Sequence, residues 1–253
     1  MTRATLRRRT LATWLLVLLA VPGLALASGA TGPGSGVPWA GSEAHAAVQP
    51  QPPRLLDLPA RPRVLLLGDS YTQGWGAEPM SEGFAFHVAG PLGWQLTRDG
   101  IGGTGYRRPG AHQEGTYAQR LWRHPADAYD LVVLQGGSND EKYAEADISA
   151  SVELTFRTVR QRYPSARLVV VQPVALYGSV YPTRAKLMRV LAASASRHSL
   201  LTIDPVAEEW FVKDGDPALI NQAKGHPSNA GYARIADFFV RDVTALSVVR
   251  EPG

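Results

Sequence analysis

The chain contains no cysteine among its 253 residues. That absence removes disulfides as a source of stability. It also excludes a cysteine nucleophile and any thiolate-held zinc or iron–sulfur site. Acidic residues are scarce in a different way, since none precedes Glu43. Arg3, Arg7, Arg8 and Arg9 lie in that acid-free region, and their four charges equal the formal net charge of +4 of the whole protein. From residue 10 onward the chain is therefore close to neutral. Its basicity reflects a targeting segment and does not point to nucleic acid or membrane phosphate as a partner. Repeats at solenoid periods are absent as well.

What is present begins with an export signal. Arg7 to Arg9 form a positive lead, followed by an apolar stretch from Leu11 to Ala27 that Pro22 and Gly23 interrupt. Ala25-Leu26-Ala27 fits the small-residue rule for signal peptidase, so residues 1–27 are predicted to be a signal peptide cleaved before Ser28. Ala44-His45-Ala46 offers a second cleavage site, and Arg8-Arg9 loosely matches a twin-arginine signal. The competing reading is an uncleaved anchor, but the apolar stretch is short for a span and broken by Pro-Gly. The mature protein is thus expected to be secreted or held in the cell envelope, with no stable membrane insertion. Residues 28–60 are rich in Gly, Pro, Ser and Ala and read as a flexible tether.

Residues 61–247 carry one full-sized core. Val64–Leu67, Leu131–Gln135, Arg167–Gln172 and Leu200–Ile203 are short apolar runs of the buried-strand type. Between them, Asp147–Tyr163, Pro182–His198 and Ser228–Leu246 have helical spacing, with Ser228 as an N-cap. Phe84–Leu96 reads as a helix broken near Gly90-Pro91, then a short strand. Continuous apolar strands separated by helices predict a three-layer α/β domain whose parallel sheet is covered on both faces. In such sheets chemistry gathers at the carboxyl ends of the strands.

Three strand ends stand out. Gly68-Asp69-Ser70 directly follows Val64–Leu67 and would expose a serine there, although the tripeptide alone is common. Gly137-Ser138-Asn139-Asp140 follows Leu131–Gln135. Its Asn amide could donate to a developing oxyanion, while the same four residues also suit a plain turn. Gly225-His226-Pro227-Ser228 precedes the last helix, where His226 could act as general base. Gly100-Ile101-Gly102-Gly103-Thr104-Gly105 contains the pattern G-x-G-x-x-G, but Tyr106-Arg107-Arg108-Pro109-Gly110 does not open a helix. The positions about 20 residues on are basic, not acidic, so dinucleotide binding is rejected. A backbone N–H brought close to an oxyanion suits this loop better.

Together these residues resemble the SGNH hydrolases, or GDSL-type esterases, whose name lists Ser, Gly, Asn and His. Ser70, Gly103, Asn139 and His226 match those four in family order, and the resemblance spans about residues 62–244. It implies a flavodoxin-like sheet of five parallel strands in the order 2-1-3-4-5. It also implies an ester hydrolase with Ser70 as nucleophile, His226 as base, and an oxyanion hole made by Ser70, Gly103 and Asn139. No metal or cofactor is implied. One departure bears on mechanism. The family places Asp three residues before its His, and here that position is Ala223. Either a backbone carbonyl orients His226, leaving a Ser–His dyad, or Asp214 or Asp216 reaches in; the dyad is preferred.

A small-molecule or glycan ester with a short acyl group is the expected substrate, and the protein is expected to act as a monomer. Two alternatives use the same residues differently. An acyltransferase would pass the acyl group to a glycan hydroxyl. An inert carbohydrate-binding module would stack sugars on Tyr71, Trp75 and Tyr106.

Overall fold

The computed structural model describes residues 55–178 and 180–247. The expected signal peptide, and the expected tether up to residue 54, lie outside the described residues. Five strands form one parallel sheet: β1 (Arg63–Gly68), β2 (Gln95–Gly100), β3 (Leu131–Gln135), β4 (Arg167–Val171) and β5 (Leu201–Ile203), in spatial order β2-β1-β3-β4-β5. This is the 2-1-3-4-5 order expected from the resemblance.

The three central strands are apolar on both faces, and successive side chains enter opposite cores. Val64, Leu66, Leu131, Val133, Val169 and Val171 point into one core with Tyr232, Ile235 and Phe239 of α6 (Asn229–Leu246). Leu65, Leu67, Val132, Leu134, Leu168 and Val170 point into the other. There they meet α3 (Tyr117–Leu121), α4 (Glu145–Arg162) and α5 (Pro182–Arg197). Each fully buried Val or Leu contributes about 1.5–3 kcal/mol relative to exposure, so the sheet is a rigid platform for whatever its edge carries.

Four expectations change in detail. Phe84–Phe86 is a 3₁₀ turn, and a short helix, α2 (Ala89–Leu92), runs through Gly90 and Pro91 instead of breaking there. Pro91 lies in the first turn, where a missing N–H deprives the helix of nothing. Strand β2 continues to Gly100, into what read as loop. It is an edge strand with half-exposed polar residues, so no apolar run betrays it. A two-residue hairpin, β6 (Ile220–Asn221) and β7 (His226–Pro227), sits ahead of α6 and carries His226. Finally, Leu56 is buried, its N–H bonds to the Leu246 carbonyl, and it bridges to Ser247. The packed domain therefore takes in residues assigned to the tether. Among the described residues no helix is long and apolar enough to cross a membrane.

Candidate active site

Strand β1 delivers the serine. After Gly68, Asp69 caps the four-residue helix α1 (Ser70–Gln73) by accepting the Tyr71 N–H at 3.0 Å. Gly68 is needed there, because a Cβ would lie 2.2 Å from Thr72 Oγ1. Ser70 is the first helical residue, so its N–H has no acceptor within the helix and remains available.

The hairpin delivers the histidine. Ser70 Oγ and His226 Nε2 are 2.8 Å apart, and His226 Nδ1 is 2.8 Å from the Lys224 carbonyl oxygen. A carbonyl only accepts, so Nδ1 carries the proton and Nε2 is left to accept from the Ser70 hydroxyl. The ring thus has an orienting partner although Ala223 has no carboxylate to offer. Asp216 instead accepts the Ala218 N–H at 2.8 Å, and Asp214 lines a separate cavity of about 360 Å³ beside Leu176 and Phe211. Backbone fit fixes the hairpin against α1. Asn221 Nδ2 donates to the Gly76 carbonyl at 2.8 Å, and a Cβ on Gly76 would stand 2.7 Å from that of His226. The Tyr71 ring packs on the imidazole at 5.4 Å between centroids.

The loops after β2 and β3 complete the floor. Gly103 has φ +76°, a left-handed conformation suited to glycine, and the preceding Gly102 N–H donates to Gln73 Oε1 at 2.9 Å. Asn139 Nδ2 donates one hydrogen to the Thr104 carbonyl at 2.9 Å, which leaves its second hydrogen for a ligand. Two buried carboxylates brace these loops. Asp69 Oδ2 accepts the Gly137 N–H at 3.2 Å. Asp140 accepts the N–H groups of Tyr106, Arg107 and Arg108 at 2.7, 3.2 and 2.9 Å. Burial raises both carboxyls above their ordinary range, Asp140 to about 6, against the backbone N–H groups that pull them down. Gly136 and Gly105 leave room for the two anions, since a Cβ would come within 2.2 Å of Asp69 Oδ2 and 2.4 Å of Asp140 Oδ2 respectively. The glycines that mimic a dinucleotide fingerprint thus serve close packing, and the first helix after them starts only at Tyr117.

The structure brings Ser70, Gly103, Asn139 and His226 to one open cleft of about 680 Å³, whose walls include Tyr71, Trp75, Glu141 and Arg184. Glu141 and Arg184 pair at 2.6 Å. Of the three aromatics considered for sugar stacking, Trp75 is exposed in the cleft, with Lys224 Nζ 5.6 Å above its ring. Tyr71 faces the cleft while packing on His226. Tyr106 is buried against Tyr117 at 4.8 Å and belongs to the core. Among the described residues no group of three or more His, Asp or Glu side chains is placed to hold a metal ion. Residues that sequence reasoning missed are Gln73, Asp140's bracing role and Arg120. Arg120 is fully buried below the floor, bound to Asp99. Burial pushes the Asp99 carboxyl up, but its contacts with His124 and Arg120 outweigh this and hold it below its ordinary range.

A serine and a histidine in hydrogen-bond reach at the carboxyl edge of a 2-1-3-4-5 sheet have the layout of a serine hydrolase. The chain belongs to the GDSL-like lipase/acylhydrolase family, which matches residues 66–234. It is 31% identical over 201 residues to the GDSL lipase Rv0518 of Mycobacterium tuberculosis, covering 73% of this chain and 82% of that protein. Among solved structures it is similar to Est24, a carbohydrate acetylesterase from Sinorhizobium meliloti, with TM-score 0.57 and 19% identity over 73% of this chain and 99% of that one. An inhibitor-bound aryl esterase of M. smegmatis gives TM-score 0.55 and 20% identity, covering 73% and 99%. These two likenesses concern the fold. The resemblance drawn from the four motifs is borne out at the level of the family.

Proposed function

We propose that the protein is an exported serine esterase that hydrolyses carboxylic esters through an acyl-enzyme on Ser70. The observation that carries this reading is the chain of contacts from Ser70 Oγ to His226 Nε2 and from His226 Nδ1 to the Lys224 carbonyl, each 2.8 Å. His226 Nε2 takes the Ser70 proton as Oγ attacks the ester carbonyl. The Ser70 N–H, the Gly103 N–H and the free Asn139 amide hydrogen stabilise the oxyanion. His226 then protonates the departing alcohol, and water activated by the same ring releases the acid. The Lys224 carbonyl keeps the tautomer without supplying a full negative charge, so the site works as a dyad.

Short acyl groups on glycans or small alcohols are the proposed substrates. The cleft is open and polar around Ser70, with exposed Trp75 on its wall. A structural neighbour is a carbohydrate acetylesterase, and another is a two-domain esterase active on acetylated mannans. Export rests on the N-terminal signal read in residues 1–27. The test is hydrolysis of p-nitrophenyl esters of increasing acyl length, together with labelling by a fluorophosphonate. Ser70→Ala is expected to abolish labelling and to lower kcat by at least about 10⁴-fold. Wild-type hydrolysis in that variant would sink the assignment.

A further inference from the structure

Arg120 has no part in the mechanism above, yet its surroundings are specific. Among the described residues it is the one fully buried cationic side chain. Desolvating a guanidinium is expensive; Nε is buried without a partner, so the hydrogen bonds that offset the cost all come from the two terminal nitrogens, and their acceptors reveal what the site is built around. Nη1 donates to the Gly68 carbonyl at 3.0 Å and to Thr104 Oγ1 at 2.6 Å. Nη2 donates to the Asp99 carbonyl and, at 2.6 Å, to Asp99 Oδ1. The Thr104 hydroxyl passes the chain on, donating to the Ile101 carbonyl at 2.7 Å.

These acceptors have a common location. Gly68 is two residues before Ser70, and Thr104 and Ile101 flank Gly103. Asp99 lies at the end of β2, from which the Gly103 loop departs. One planar group therefore touches the roots of both turns whose backbone N–H groups would face the oxyanion.

We propose that Arg120 is a positioning residue for the oxyanion hole, clamping the Ser70 turn and the Gly103 turn at a fixed separation. The inference rests on the esterase reading of Ser70 and Gly103. An oxyanion donor acts through its placement, and displacement by about 1 Å can lower a rate by about 10²-fold. Nη1 bridges the two turns, and Nη2 anchors the planar group on Asp99 so that Nη1 is held in place. A lysine ammonium has one nitrogen and cannot both bridge the turns and keep that separate anchor. A purely structural arginine would instead lower stability and leave the rate of the folded enzyme unchanged.

Thr104→Val, Thr104→Ser and Arg120→Lys separate the two cases. Thr104→Val removes the hydroxyl that accepts from Nη1, while Arg120 keeps its other partners. Each variant is compared with wild type in kcat and KM for p-nitrophenyl acetate and in the rate of fluorophosphonate labelling. All measurements are made well below the variant's own thermal midpoint. For Thr104→Val and Arg120→Lys, kcat and the labelling rate are each expected to fall about 10- to 100-fold with KM within about 3-fold, and Thr104→Ser is expected to restore both. If Arg120→Lys does not fold, the Thr104 pair decides. Thr104→Val labelled and turning over at the wild-type rate, whatever its thermal midpoint, would overturn the clamp. A wild-type protein that fails to label at all would overturn the esterase reading and the clamp with it.

Discussion

Ser70, Gly103 and Asn139 sit in turns that side chains tie to one another, whereas the His226 ring, on a two-residue strand, is oriented by a backbone carbonyl and one aromatic face. On the first side Gln73 links α1 to the Gly103 loop, Asp69 links α1 to the Asn139 loop, and Asp140 links the Asn139 loop to residues 106–108. On the second side the Lys224 carbonyl and the Tyr71 ring orient the imidazole. The contrast fits two chemical tasks. Oxyanion donors must be in place before charge develops, because reorganisation during the reaction would cancel their benefit. The base must pass a proton from Oγ to the leaving group and back, which a lightly held ring can do.

The contrast is open to direct attack, beginning where the effect is largest. His226→Ala is expected to lower kcat about 10⁴-fold or more with little change in thermal midpoint, since few side-chain contacts depend on the ring. A variant that loses most of its stability would show the hairpin side to be as braced as the other.

Asp140→Asn attacks the braced side. One amide oxygen cannot serve three N–H groups, so a buried donor is left unpaired, costing about 1–3 kcal/mol, and a loss of kcat should accompany it. The pH dependence gives a sharper reading. The folded carboxyl is raised to about 6 from its ordinary 3.8, so the folded state holds a proton that the unfolded chain has released between those values. This contribution to stability is full below about pH 3.8 and lost as pH rises through about 6, by at most about 3 kcal/mol. Urea midpoints should therefore show the gap between wild type and Asp140→Asn narrowing from pH 4 to pH 7. A gap that widens would mean the backbone N–H groups outweigh burial.

Trp75→Ala is expected to raise KM for acetylated oligosaccharides about 3- to 10-fold and to leave p-nitrophenyl acetate unaffected, if the exposed ring carries a sugar. Smallest of all is Ala223→Asp. The Nδ1 proton of His226 is already engaged by the Lys224 carbonyl, so restoring the family's carboxylate should change kcat by less than about 3-fold. A gain of 100-fold would show that the carbonyl is a poor substitute.

The parts of this molecule legible in the sequence are those whose signal is local. Strands β1, β3 and β4 announce themselves because both faces are buried along the apolar runs Val64–Leu67, Leu131–Leu134 and Leu168–Val171. α4, α5 and α6 do so through long periodic stripes. β2 stayed partly hidden because a half-exposed edge strand tolerates Thr97, Arg98 and Asp99. α3, with five residues, and the hairpin, with two on each strand, are too short to show a period. Within the site, Ser70, Asn139 and His226 could be found from their places beside strands and a helix. The Lys224 carbonyl could be anticipated as a kind of partner but not as an address. Asp140 and Arg120 escaped because their roles arise from loops 16 to 52 residues apart meeting in space. No composition rule marks an arginine between Gln119 and Leu121 as buried.

The bond between the Leu56 N–H and the Leu246 carbonyl also sets a geography. Helix α6 begins three residues after His226 and runs for 18 residues, which at the usual rise is about 27 Å of travel away from the cleft. Leu56 is fastened at the far end. The described chain therefore enters the packed domain at the end of α6 remote from His226, and the cleft lies at the other end of that helix.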